Sequence, residues 1–398
     1  MSEQVAGMRD LLREARKRER EMVQLLGQFV RCESPSGDKA AVDRFGAMVT
    51  REWRRRGAVV KILRQRLRGD HLRVEMAAEA RRDFGRRNGS ADRDYGQILV
   101  LGHLDTVYPI GTIAKMPFRV RGGRAWGPGT FDMKGGLVMA LAAVDALRSV
   151  GMRPRKRVVF LWTSDEEIGS ETSRRVIESE ARRSDAVLVL EPALGREGRL
   201  KTERKGVGGA EIIVTGRAAH AGIEPEKGVN AVHELALQIA RLMKMNDRAR
   251  GITVQATVVE GGTAANVVPE RARAVVDIRF ARVADAGRIE RELRGLRPIL
   301  RGARAEVRVG GMRPPLERSA GVRELFQVAR GLMREMGLSL GEAATGGGSD
   351  GNFTAALGVP TLDGLGAVGD GAHSLREHVV VREMGVRAAL LAGLLAAL

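Results

Sequence analysis

Residues able to bind a cation or move a proton recur at defined places along this chain. His103 lies in Gly-His-Leu-Asp-Thr, with Asp105 two positions on, and Asp132 lies in Gly-Thr-Phe-Asp-Met-Lys-Gly-Gly. Glu166 and Glu167 are adjacent in Thr-Ser-Asp-Glu-Glu-Ile-Gly-Ser, Glu191 precedes Pro192, and His373 sits in Gly-Ala-His-Ser. Imidazole nitrogens and carboxylate oxygens are ligands for zinc and related divalent ions. Two such ions with a carboxylate base beside them make a hydrolytic site.

Each piece also has a plainer reading. Asp132 could cap the helix that begins near Gly135. Glu166 and Glu167 could be a solvated acidic loop, although neighbouring carboxylates repel unless a cation compensates. If a cation is present, one glutamate can hold it while the other takes a proton from water. Asp105, on the same side of an extended segment as His103, could accept the hydrogen bond of the second imidazole nitrogen and fix the tautomer.

The elements needed to position these residues are visible as patterns. Apolar runs at 97–102, Arg157 to Thr163 and Ala186 to Leu190 read as buried strands. His103, the Glu166–Glu167 pair and Glu191 each follow one of them, where open α/β sheets place ligands. Helical spacing of apolar residues predicts helices over 8–31, 40–56 and 322–336, with a final helix at 383–398. The Ala- and Leu-rich stretch from Gly135 to Val150 reads as a buried helix. Strands alternating with helices indicate an α/β layered sheet. After about residue 204 the order changes to strand 210–215, helix 230–243, strands 253–260 and 273–280, helix 285–296 and strand 305–309. That βαββαβ order is the ferredoxin-like split motif. The expected organisation is a first domain over 1–204 and 313–398, with a second inserted at 205–312. The charged stretch 78–94 reads as an exposed loop.

Composition narrows the class. A hydrophobic fraction of 43% supports a sizeable core, and aromatics at 4% leave it to aliphatic residues. The net charge of +18 is Arg-rich and spread along the chain, unaccompanied by a nucleic-acid-binding motif, so no nucleic-acid partner is expected. A basic surface could still attract anionic small substrates. Cys32, the one cysteine, permits no internal disulfide and reads as apolar filler. No apolar run is long enough for a membrane span, and the charged segment from Met1 to Arg20 does not read as a signal peptide. The expectation is a cytoplasmic protein.

In order, these motifs resemble the metallopeptidase family that contains glutamate carboxypeptidase, acetylornithine deacetylase, succinyl-diaminopimelate desuccinylase and the aminoacylases. The resemblance runs over about residues 95–380 and includes Gly346-Gly347-Gly348-Ser349-Asp350. It is strongest to the glutamate carboxypeptidase branch, through His103 to Tyr108, Met116 to Val120, His220-Ala221-Gly222 and the glutamate at 191. It implies a mixed-sheet α/β zinc exopeptidase domain carrying a ferredoxin-like lid that also dimerises. It implies two zinc ions per subunit, with cobalt or manganese able to replace them. His103, Glu191 and a bridging Asp132 would hold one, and His373, Glu167 and Asp132 the other. Glu166 would be the general base and Asp105 the carboxylate that orients His103. His220 would reach the partner subunit's active site to stabilise an oxyanion. Asn266, Arg279, Arg199 and Arg313 would contact substrate carboxylates, which suit a guanidinium's paired donors. The implied substrate is a small peptide or N-acyl amino acid, cleaved beside a free carboxylate with glutamate favoured. An N-acyl-amino-acid deacylase is the alternative. His71, His233 and His378 lack a partner motif and read as structural or exposed.

Overall fold

A computed structural model describes residues 7–76 and 96–398. The charged stretch 78–94 lies outside them. The described chain forms two compact units. The first comprises the chain up to Thr202, Arg318–Ala344 and Ser349–Leu398; the second comprises Glu203–Glu317 and Thr345–Gly348. The glycine-rich segment Thr345–Gly348, placed by the sequence in the returning part of the first domain, therefore groups with the second unit.

In the first unit a six-stranded mixed sheet runs in the order Val59–Leu63, His71–Glu75, Arg157–Thr163, Gln97–His103, Ala186–Val189, Thr361–Leu362. Gln97–His103 lies parallel to both Arg157–Thr163 and Ala186–Val189. The three are buried almost throughout, which is why they read as unbroken apolar runs rather than alternating ones. Alternation still decides which core each side chain enters. Ile98 and Val100 pack with helices Met8–Lys17, Glu19–Arg31, Lys39–Arg55, Gly135–Ser149 and Val381–Ala397. Leu99 and Leu101 point to the other face, among Ile177, Ala181 and Phe353. Helices Gly135–Ser149 and Val381–Ala397 are buried nearly all round, as their predominantly apolar composition requires.

Three features depart from the sequence patterns. The helix expected over 8–31 is two helices, because Arg18 leaves the helical region at ψ 3° and its N–H bonds back to Ala15. Neither proline nor glycine marks the break. The hairpin Val59–Leu63/His71–Glu75 falls in an Arg-rich stretch; its outer strand, Val-Val-Lys-Ile-Leu, is a largely exposed edge despite its apolar composition. A four-stranded sheet of Gly369–Asp370, His378–Val380, Arg124–Trp126 and Arg119–Arg121 is built from strands too short to show a period.

The second unit has strands Gly206–Thr215, Thr253–Gly261, Arg271–Phe280 and Arg304–Val309, with helices Ala231–Met243 and Val283–Arg294. The sheet order, second–third–first–fourth, is antiparallel throughout and is the ferredoxin-like arrangement. Gly206–Thr215 alternates buried and half-buried residues. Its Ile212 and Val214 join Leu235, Ile278, Phe280 and Leu293 in a separate core. Asn230 caps the first helix through the N–H of His233. No helix among the described residues is long and apolar enough to cross a membrane.

Candidate metal centre

Three parallel strands end side by side, and the residues just beyond them converge. His103 closes its strand and is buried. Glu166 begins a short turn after Arg157–Thr163, and Glu191 lies two residues past Ala186–Val189. Asp132 comes from the glycine-rich loop before helix Gly135–Ser149, in which Gly129 adopts φ 72° and the Asp132–Met133 peptide is cis. The helix start packs tightly on the strand ends. A Cβ on Gly136 would come within 2.6 Å of the Leu190 carbonyl oxygen, so only glycine allows this approach.

The result is a chain of alternating bases and acids centred on Asp132. Its Oδ1 is 3.1 Å from His103 Nε2, and its Oδ2 is 3.4 Å from His373 Nε2. Glu191 Oε1 is 3.5 Å from His103 Nε2, and Glu167 Oε2 is 3.2 Å from His373 Nε2. Two groups able to hold a cation follow, His103–Asp132–Glu191 and Asp132–Glu167–His373. Burial opposes charge on His103, but Asp105, Asp132 and Glu191 outweigh it and hold the ring's pKa well above its usual value. Asp132 and Glu167 raise His373 to about 10. Burial disfavours the charged form of Asp132, yet the two imidazoles hold its carboxyl below the usual range. Burial pushes Glu167 up.

This donor set fits divalent cations. Ligand atoms about 2.0–2.1 Å from a tetrahedral zinc are about 3.3 Å from one another, and the imidazole–carboxylate distances above bracket that value. The two oxygens of Asp132 face different imidazoles, as a bridging ligand requires. Glu167 Oε1 is buried without a hydrogen-bond partner, a costly arrangement for a lone carboxylate that a cation would relieve. The capping reading of Asp132 does not describe the structure. Lys134 stands at the helix N-cap, and no side chain there accepts a hydrogen bond.

Asp105 faces the His103 ring and does more than expected of it. His103 Nδ1 lies 2.9 Å from the Asp105 backbone carbonyl and 3.5 Å from its carboxylate. The carboxylate also accepts hydrogen bonds from Ser36 Oγ at 2.7 Å and from the backbone N–H groups of Glu166 and Glu167 at 3.3 and 3.2 Å. It thus holds the turn that carries the paired glutamates. A second buried carboxylate, Asp350, spans the same turn by accepting from Thr163 Oγ1 and Ser170 Oγ at 3.0 and 2.5 Å.

The other anticipated residues are distributed as follows. Arg199 belongs to the first unit but is exposed, 3.8 Å from Glu197, and is not a member of either cation-binding group. In the second unit, His220 and Asn266 are exposed neighbours. His220 bridges to Val267, its Nδ1 accepts from the N–H groups of Gly222 and Ile223, and the Asn266 carbonyl accepts from Ala221. Arg279 pairs with Asp277 at 2.8 Å and donates to the Gly346 carbonyl. Arg313 is half-buried and pairs with Val207 through the backbone. Of the remaining histidines, His71 is buried between Ser164 and Thr172, His378 stacks on Trp126, and His233 is exposed.

Sequence reasoning did not find Tyr108, Lys134 or Glu377. Lys134 is buried, donates to the Phe29 and Cys32 carbonyls, and has its pKa pulled down to about 8 by burial. Glu377 is fully buried and accepts from the N–H groups of Gly129, Phe131 and Asp132 and from the Tyr108 hydroxyl. The only hint of these roles was proximity to a ligand in sequence.

A mixed α/β unit with paired imidazole–carboxylate groups at its strand ends defines a class, and the comparisons agree. The pattern of peptidase family M20/M25/M40 matches residues 99–397. This chain belongs to that family and is a hydrolase of the metallopeptidase class. It is 36% identical over 286 residues to carboxypeptidase G2 of Pseudomonas sp. (strain RS-16), covering 71% of this chain and 69% of that one. It is 31% identical over 304 residues to succinyl-diaminopimelate desuccinylase of Dechloromonas aromatica (strain RCB), covering 70% and 78%. Its fold matches the crystal structure of aminopeptidase PepT from Bacillus cereus ATCC 10987 with a TM-score of 0.76 at 21% identity, over 95% of this chain and 98% of that one.

Proposed function

We propose that this protein uses two zinc ions to hydrolyse the amide bond beside a free carboxylate, releasing a C-terminal amino acid, with glutamate favoured, from a small peptide or N-acyl amino acid. The observation that carries this reading is the Asp132 carboxylate set between two imidazoles, each with its own glutamate. The similarity to carboxypeptidase G2 supports the choice of bond.

His103, Asp132 and Glu191 would hold one ion and Asp132, Glu167 and His373 the other, and the ions would supply Lewis acidity toward the carbonyl and lower the pKa of water to about 7. Glu166 accepts the proton of the attacking water and returns it to the leaving amine. Asp105 holds the Glu166 backbone so that the carboxylate keeps its aim. His220, supplied by the second unit of a partner copy in a homodimer, stabilises the oxyanion. Asn266 and Arg279 receive the substrate α-carboxylate, while Arg199 and Arg313 favour an acidic side chain. Cobalt and manganese suit the same ligands. The protein would work in the cytoplasm.

A second reading, N-acyl-amino-acid deacylation, uses the same groups and is supported by the similarity to succinyl-diaminopimelate desuccinylase. Release of free amino acid from a panel of N-blocked amino acids and dipeptides, with and without zinc, tests both. Zinc-dependent release concentrated on C-terminal glutamate supports the first reading. Release concentrated on N-acyl substrates of other amino acids moves the assignment to the second. A protein that takes up zinc yet remains fully active as Glu166→Gln would remove Glu166 from the proton transfer.

A further inference from the structure

The loop that carries Asp132 is held from a distance by one buried side chain. Glu377 is fully buried. Its Oε1 accepts from the N–H groups of Phe131 and Asp132 at 2.7 and 2.9 Å. Its Oε2 accepts from the Gly129 N–H at 3.0 Å and lies 2.5 Å from the Tyr108 hydroxyl. The Glu377 backbone carbonyl also accepts from the Gly127 N–H at 3.3 Å. Burial pushes Glu377 up to about 7, and the hydrogen bonds from Tyr108 and the backbone N–H groups oppose that shift. A carboxylate has about four acceptor sites, and here four donors address them.

Tyr108 extends the clamp. It is largely buried, and its hydroxyl also lies 3.0 Å from the Ser374 carbonyl, the residue after His373. His373 itself adopts φ 60°, an uncommon left-handed conformation for a non-glycine residue, so its turn must be held by its surroundings. Ser374 bonds back to Gly371, and Glu377 to Ser374, within that turn. One phenol–carboxylate pair therefore ties together the segment after His103, the loop of Asp132 and the turn of His373.

We propose that Tyr108 and Glu377 are positioning residues that set the spacing of the two imidazoles about the Asp132 carboxylate. This rests on the cation-binding reading of the cluster. Neither residue belongs to the two cation-binding groups; both act through the backbone that presents those ligands. Glutamine at 377 keeps the shape but aims an amide N–H₂ at N–H groups that need an acceptor. Phenylalanine at 108 keeps the ring and removes only the hydroxyl.

The test is Co²⁺ titration of the full chain, read by visible absorption and by competition with a chelator, with thermal melting in excess chelator as the fold control. Glu377→Gln is expected to weaken cobalt binding by about 10–100-fold, the range for residues that support metal ligands. It should also change the cobalt spectrum. Tyr108→Phe is expected to shift both in the same direction by a smaller factor, with melting in chelator close to that of the parent. Parent affinity and spectrum in a folded Glu377→Gln protein overturn the proposal. Should that variant not fold, parent affinity and spectrum in Tyr108→Phe overturn it. Failure of the unsubstituted protein itself to take up cobalt would instead remove the cation-binding reading on which both rest.

Discussion

Replacing Asp132 with asparagine is the most direct perturbation of the centre. The carboxylate faces His103 Nε2 with one oxygen and His373 Nε2 with the other. Asparagine keeps one neutral oxygen and turns an N–H₂ donor toward the opposite side. Two unit charges about 4 Å apart attract by about 4 kcal/mol at an effective dielectric near 20. A ligand oxygen in contact with a divalent ion gains at least that, and removing one partner of a buried charged group costs about 3–5 kcal/mol. At 1.4 kcal/mol per factor of ten, affinity for the more weakly held cation should fall by about 10³-fold. Equilibrium dialysis against chelator-buffered zinc, with metal counted by atomic emission, reads this directly. The expected stoichiometry falls from two per chain toward one, and hydrolysis falls at least as far as occupancy. Two zinc ions bound to Asp132→Asn with unchanged affinity would refute the bridging assignment and the distance argument behind it.

Other perturbations separate positioning from binding and from packing. Asp105→Asn leaves an amide facing backbone N–H groups of the Glu166–Glu167 turn. Because displacement of a reacting group by about 1 Å costs on the order of 10²-fold, steady-state kinetics should show kcat lowered by about that factor with both metals retained. Burial lowers the pKa of His71, so the folded chain binds fewer protons there than the unfolded chain as pH falls below about 6.5. Stability should therefore drop as pH falls through that value, and melting curves from pH 5 to 7.5 should show a shallower acid loss for His71→Gln than for the parent. Trp53 is fully buried, with ring centroids 4.4 Å from Phe160 and 6.0 Å from Trp162. Trp53→Ala should cost about 3–5 kcal/mol in denaturant unfolding, and a loss below about 1 kcal/mol would contradict the packing described.

Much of this protein follows from local pattern. The strands Gln97–His103, Arg157–Thr163 and Ala186–Val189 are visible in sequence because both their faces are buried, and the residues with chemistry stand just past their ends. The βαββαβ order of 206–309 is equally legible, since each element carries its own period and its own turn. Length and side-chain periodicity are properties of a short window, so a linear reading recovers them.

What the window does not contain is pairing across distance. The pairing of each imidazole with its glutamate, which the family resemblance implied, is a contact across distance: His103 Nε2 lies 3.5 Å from Glu191 and His373 Nε2 3.2 Å from Glu167. Asp105, whose carboxylate lies 3.5 Å from the His103 ring, also holds the Glu166–Glu167 backbone, because the folded turn brings two N–H groups to it. Arg18 breaks a helix that periodicity would have continued. Glu377 bonds to Gly129 from 248 positions away. Its nearness to His373 was the one sign in sequence, because a buried carboxylate is tolerated only where several donors meet it, and donors drawn from separate loops come together only on folding.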